Sequence, residues 1–319
     1  MTGTNDGGYI SELSGEITSG LGGLPEAFRN QQRHYLRGAQ NPDGGFGGRK
    51  GGSDLYYTHF ALWALSVLDV PAGDEVWHRA AGFLSDPAEP DDIPDVLSLT
   101  HGGLILSRRG LDVQCDASRK QIQRLAGGGC CGAGPDSLYD AFLGGLTAGL
   151  LGLELPPRKR LLRFVEARRC RDGGFADLND GEKGGINPTA AGVALLEIYD
   201  SLDEPTVSEV AGFVTAAQRP DGGFPAHSDA PCADLMSTFT ALVALRDLGK
   251  INEADLAGAA RFARELRAPD GGFRGARMHD VPDVEYTFYG LGVLGLLKAH
   301  ATRAREHTGQ MASGGSCCR

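Results

Sequence analysis

The stretch Leu266-Arg-Ala-Pro-Asp-Gly-Gly-Phe273, followed by a short polar loop, by Asp283-Val-Glu-Tyr-Thr287 and by an apolar, glycine-rich run to Leu297, decides how the chain is read. The same arrangement occurs three times before it. Asp221-Gly-Gly-Phe224 precedes Asp234-Leu-Met-Ser-Thr238, Asp172-Gly-Gly-Phe175 precedes Gly185-Ile-Asn-Pro-Thr189, and Asp43-Gly-Gly-Phe46 precedes Asp54-Leu-Tyr-Tyr-Thr58. Repetition of this kind marks an architecture built from one supersecondary unit.

With the residue that opens each apolar segment as marker, the series runs Asp54, Asp95, Asp136, Gly185, Asp234 and Asp283, in steps of 41, 41, 49, 49 and 49. Four positions on stand Thr58, Leu99, Asp140, Thr189, Thr238 and Thr287. Between the apolar segments lie polar amphipathic ones such as Pro157 to Arg168 and Ile251 to Leu266. A helix that is apolar on nearly every face has to be buried among other helices. Six such pairs predict an all-α fold, an (α/α)6 toroid of six inner and six outer helices. An open solenoid would need a polar capping repeat, and Leu291 to Leu297 is not polar, so closure is expected. One domain is expected over residues 25–300, with a flexible, Gly/Ser/Thr-rich segment at 1–24 and a tail at 301–319. In the Gly-Gly-Phe turns, glycine permits positive φ, Asp accepts turn or cap hydrogen bonds, and Phe plugs the seam between neighbouring hairpins.

Composition narrows the function. The chain has 319 residues, 41% hydrophobic, with a formal charge of −10 and no Lys/Arg run, which excludes a nucleic-acid backbone as partner. No apolar run has transmembrane length, and Met1 to Leu24 lacks a basic segment followed by an apolar one, so no secretory signal is expected. Seven cysteines without disulfide-framework spacing are expected as reduced thiols in a cytoplasmic protein.

Phe213-Val-x-Ala-x-Gln218-x-Pro-Asp-Gly-Gly-Phe224 resembles the repeats of the squalene cyclase and protein prenyltransferase superfamily. Asp234-Leu-Met-Ser-Thr-Phe239 and Asp283-Val-Glu-Tyr-Thr-Phe288 look most like the last two repeats of prenyltransferase β subunits, the geranylgeranyl type above all. The resemblance implies a toroid over about residues 25–300, an isoprenoid or prenyl diphosphate substrate, and a helical partner subunit; a homodimer is the other arrangement considered. It also implies zinc bound by an Asp and a Cys at the start of the fifth inner helix and by a His at the start of the sixth. Of these, Asp234 is present, but Met236 stands at the Cys position and Tyr286 at the His position. A thioether or a phenol is a poor substitute for a thiolate or an imidazole. A shifted site would draw on Asp234, Cys232 and His279, with His227 nearby.

In the class II terpene cyclases of the same superfamily, an Asp-x-Asp-Asp at this helix start protonates an alkene. Asp283 and Glu285 fill the first two acidic places and Tyr286 the last; Glu89-Pro-Asp91-Asp92 has a similar spelling but falls outside the register and reads as a loop. The candidate catalytic residues are therefore Asp283, Glu285, Asp234 and Tyr286. For each single Asp the plainer reading is an N-cap, whereas Glu285 lies two residues into its helix. Around a toroid, Tyr56, Leu97, Leu138, Asn187, Met236 and Glu285 form one rim column, with Tyr57, Tyr139 and Tyr286 in the next. Asp54, Tyr56, Tyr57, Tyr139 and Met236 are candidate substrate contacts, and Arg49, Lys50, Arg274 and Arg277 candidate cations for a diphosphate. Three readings follow: a prenyltransferase-like enzyme, a proton-initiated cyclase using Asp283 or Glu285, and a non-catalytic toroid that binds lipid or protein. The adjacent Cys317 and Cys318 resemble a doubly geranylgeranylated tail.

Overall fold

A computed structural model describes residues 8–86, 90, 92–113, 116, 120–121, 137–154, 157–179 and 181–314. Asp136, Glu89, Asp91 and the Cys317-Cys318 pair lie outside the described residues. The described helices are α1 (Gly8–Gly22), α2 (Glu26–Gly38), α3 (Leu55–Val67), α4 (Glu75–Ser85), α5 (Ile93–Ser107), α6 (Leu138–Leu150), α7 (Arg158–Glu166), α8 (Ile186–Ile198), α9 (Glu204–Ala216), α10 (Leu235–Asp247), α11 (Leu256–Glu265) and α12 (Val284–Gly314). No β-strand occurs among the described residues, and no described helix is long and apolar enough to cross a membrane.

The two helix types separate as their composition requires. α8 buries every residue from Thr189 to Leu196, whereas α7 buries only Leu161 and Val165. Helices α3, α5, α6, α8, α10 and α12 pack one against the next, and α12 returns to α3, so the inner ring closes. Helices α2, α4, α9 and α11 each pack on the outside of an inner helix. The fold is the expected all-α toroid.

One contact recurs in each Gly-Gly-Phe unit. The backbone N–H of Phe46, Phe175, Phe224 and Phe273 donates to the hydroxyl of Thr58, Thr189, Thr238 and Thr287, at 2.9, 2.9, 3.0 and 3.0 Å. The residue that opens the inner helix donates its own N–H back to the same phenylalanine's carbonyl, as Asp54, Gly185, Asp234 and Asp283 all do. All four rings are fully buried. The first glycine of the turn takes φ near +90°, as at Gly222, and an added Cβ there would sit 2.2 Å from backbone atoms of Gly258 in α11. That position is glycine for two reasons, conformation and close approach.

The N-terminal segment is not loose over residues 8–22. It forms α1, whose Ile10, Leu13, Ile17 and Leu21 are buried. α1 crosses α12 closely: a Cβ on Gly20 would lie 1.8 Å from the carbonyl oxygen of Gly295. Two small residues at the crossing let the backbones meet. Trp63 Nε1 donates to Ser14 Oγ at 2.8 Å, and Tyr9 donates to Asp247 Oδ2 at 2.6 Å, so α1 is fixed to the ends of α3 and α10. A run rich in Gly and Ser misleads here because its few apolar residues fall on one helical face.

Thr238→Val removes the acceptor of the buried Phe224 N–H and is expected to lower stability by about 1–3 kcal/mol. Thr238→Ser keeps the hydroxyl and should lose less. A T238V variant as stable as wild type in chemical denaturation, with T238S the weaker of the two, would show that the methyl group and not the hydrogen bond carries the effect.

Candidate active site

The ring encloses a cavity with about 130 Å³ of free space, lined by side chains from all the inner helices and, at the far end, by Tyr9, Ile10 and Leu13 of α1. Its wall is aromatic. Tyr56, Phe60 and Trp63 descend one face of α3 at helical spacing and meet Phe288 and Tyr289 of α12. Trp63 stacks on Phe288 with centroids 4.1 Å apart and planes 26° from parallel. α1 closes the end at which the inner helices finish. The rim where they start carries the ionisable groups.

The helix caps reset the register at two repeats. Asp54 and Asp234 cap α3 and α10, and Asp283 accepts the Tyr286 N–H in the same way. In the second unit the cap is Asp92, which accepts from Asp95 N, so the residue read as loop opens the helix and Asp95 lies in its first turn. In the third unit the cap is Ser137, itself bonded to Asp177 Oδ1 from the next unit's loop. Two residues past the caps stand Tyr56, Pro94, Tyr139, Asn187, Met236 and Glu285. The first five line the cavity; Leu138, expected in this column, is fully buried behind the wall.

Glu285 is the acid of this ring of positions. It is buried, and its Oε1 accepts a hydrogen bond from the Tyr56 hydroxyl at 2.7 Å across the α3–α12 seam. Burial pushes its carboxyl up to about 7, against a smaller lowering by the Tyr56 hydrogen bond. Asp283, one turn edge away, is held by Arg49, whose Nε lies 3.1 Å from Oδ2; the guanidinium also stands 5.7 Å from the Tyr286 ring centroid. Burial raises Asp283 and Asp234 as well. Asp234 Oδ1 accepts from Ser237 N and Oδ2 from Ser237 Oγ, both at 2.8 Å, so its carboxylate is occupied with capping. Asp54 is likewise a cap, accepting Tyr57 N–H at 2.7 Å. Tyr57 packs edge-on against Tyr56, 5.4 Å between centroids.

Of the candidate cations, Arg49 is brought to the rim and is already paired. Arg277 is not brought there: it is about half exposed and pairs with Glu265 at 2.7 Å and Asp221 at 3.6 Å. Arg274 donates to the Glu265 carbonyl.

Deeper in the cavity is a pair the sequence reading missed. His59 Nε2 and His101 Nδ1 lie 2.8 Å apart, joining α3 to α5, with both residues buried. His59 lines the cavity one turn below Tyr56. The available signal was positional: His59 follows Tyr56 by three on the inward face of α3.

Residues 21–99 and 143–313 match the prenyltransferase alpha-alpha toroid domain. The chain belongs to that family. No curated protein matches it. Among solved structures, the toroid is similar to Candida albicans protein geranylgeranyltransferase-I complexed with GGPP, with TM-score 0.64, 15% identity, and coverage of 84% of this chain and 90% of that one. It is also similar to a variant of the type II terpene cyclase MstE from Scytonema in complex with geranylgeranyl dihydroxybenzoate, with TM-score 0.57, 13% identity, and coverage of 91% and 99%. At these identities the likeness concerns the fold.

The zinc implied by the prenyltransferase resemblance does not fit the residues of this toroid. Met236 lines the cavity wall, the ring of Tyr286 packs against Tyr289, and Asp234 is a cap. The shifted set fares no better: Cys232 Sγ contacts Met278 Sδ at 3.7 Å, and the His279 ring packs against Tyr286. Among the described residues no three His, Cys, Asp or Glu side chains are grouped to hold a metal.

Because the unfolded chain releases the Glu285 proton near the ordinary value of 4.5 and the folded chain near 7, the folded state holds more protons in between. Stability contributed at this site therefore falls as pH rises through that window and levels off above it. The difference is on the order of 3 kcal/mol. E285Q is expected to match wild type near pH 4 and to exceed it at pH 8 in denaturant unfolding; parallel curves would overturn the assignment.

Proposed function

We propose that this toroid is a proton-initiated isoprenoid cyclase in which Glu285 delivers the proton. The observation that carries the reading is a buried carboxyl, protonated near neutral pH and bonded to Tyr56, at the rim of an aromatic-walled cavity. The O–H of Glu285 protonates a terminal alkene; the π pair becomes the new C–H bond and leaves a tertiary carbocation. The next alkene attacks that carbon and closes a ring. Loss of a proton from carbon restores a double bond, so the net change is an isomerisation, and the carboxylate regains a proton from water at the rim. The Tyr56 hydroxyl and the Arg49 guanidinium stabilise the carboxylate left behind, which strengthens the acid. The aromatic side chains that line the cavity, Phe60 and Tyr289 among them, favour cationic intermediates.

Charge at the rim favours this reading over prenyl transfer from a diphosphate. Asp54, Asp234, Asp283 and Glu285 stand there, and Arg49, the cation among them, is paired with Asp283. A diphosphate leaving group needs cations or a metal. The free space, about 130 Å³, is of the size that takes up a benzene ring, so the substrate class is a neutral, short linear isoprenoid whose entry turns lining side chains aside.

The test is incubation with geraniol, farnesol and geranylgeraniol, and with their diphosphates, in D2O, followed by mass spectrometry of the extract. A cyclic isomer carrying deuterium at the former CH carbon of the terminal double bond is expected from an alcohol, with a loss of about 10²-fold or more in E285Q. Cyclisation undiminished in E285Q, or turnover of the diphosphates alone with diphosphate release, would overturn the proposal.

A further inference from the structure

We propose that His59, with its Nε2–H held by His101, is the base that removes the final proton from the carbocation; this rests on the cyclase reading above. The observations are spatial. His59 is the basic side chain among the residues that line the cavity, which are otherwise apolar, aromatic or hydroxylated apart from Asn187. It sits three residues below Tyr56 on the same helix, about 4.5 Å further along the axis. His59 therefore lies deeper in the cavity than Tyr56, the hydrogen-bond partner of the acid.

The hydrogen bond to His101 sets the chemistry of the ring. With Nε2 of His59 donating to Nδ1 of His101, the lone pair of His59 is left on Nδ1. Among the described residues that nitrogen has no hydrogen-bond partner. Burial holds His59 down at about 3 and His101 well below its ordinary range, so both rings are neutral at physiological pH and the lone pair is available. A weak base suffices, because a proton adjacent to a carbocation is strongly acidic. When His59 Nδ1 takes that proton, the C–H pair becomes the new double bond, and the imidazolium shares its Nε2–H with His101. The stacked indole of Trp63, 5.5 Å away and 28° from parallel, faces the cation so formed. His101 acts through His59 and is a positioning residue.

Two measurements test this. Farnesol turned over in D2O by wild type and H59F separates the steps. H59F is expected to work more slowly and to divert the products by about tenfold or more toward other double-bond isomers and water-quenched alcohols, with deuterium still entering at the CH carbon of the terminal double bond. H101F, which keeps His59 but frees its Nε2–H, should divert them less. Unchanged product ratios in H59F would overturn the inference and leave the cyclase reading standing; no deuterium in wild-type products would overturn both. Nitrogen-15 NMR of the folded protein gives a readout independent of turnover. A bare Nδ1 and a protonated Nε2 on His59 are expected, and the opposite tautomer would overturn the inference even if a variant failed to fold.

Discussion

The structure depends on one hydrogen bond repeated around the ring, from the phenylalanine N–H of each Gly-Gly-Phe turn to the threonine hydroxyl in the first turn of the following inner helix. The phenylalanine sits in the seam between units with no access to water, so its N–H must find a protein acceptor. The threonine supplies it and fixes how far the inner helix has advanced when it enters the core. With the return bond from the helix-opening residue to the phenylalanine carbonyl, each of these four units delivers its inner helix at a set height. That common height makes a ring of residues two past the caps, and hence a rim.

The rim and the interior divide the work. The helix starts are held by backbone caps, and Glu285, two residues past its cap, meets the hydroxyl of Tyr56. Its burial is a consequence of closure: α12 packs against α3, and the seam between them holds the pair. Below the rim, the same packing brings aromatic rings from α3, α10 and α12 together, and a histidine from α5 against one from α3. α1 shuts the opposite end, so the interior has an acidic start and an apolar floor.

The four units with both motif halves were legible residue by residue, because Gly-Gly-Phe and the threonine occur together in sequence as they bond in space. The second and third units lack that threonine, with Val96 and Ala141 four residues past their caps, and there the register set by Asp95 and Asp136 slipped. The caps are Asp92 and Ser137, and Tyr139 moves into the column that Leu138 was expected to fill. Glu285 was visible as an acid two residues into its helix, less easily read as a cap than the aspartates. Arg277 was assigned to the rim because its loop precedes an inner helix, but Glu265 and Asp221 hold it at the outer surface. The docking of α1 was hidden because its close crossing with α12 needs Gly20 opposite Gly295, residues with no side chain to signal a contact.

The sequence alone determined the repeat, the all-α class and the sorting of helices into inner and outer layers. Each of these follows from local periodicity or from the identity of a residue. The tertiary structure decided which acid is buried, which tyrosine bonds it, which histidines meet, and how much space remains inside. Those depend on distances between helices far apart in the chain, set by closing the ring, and no spacing along the sequence encodes them.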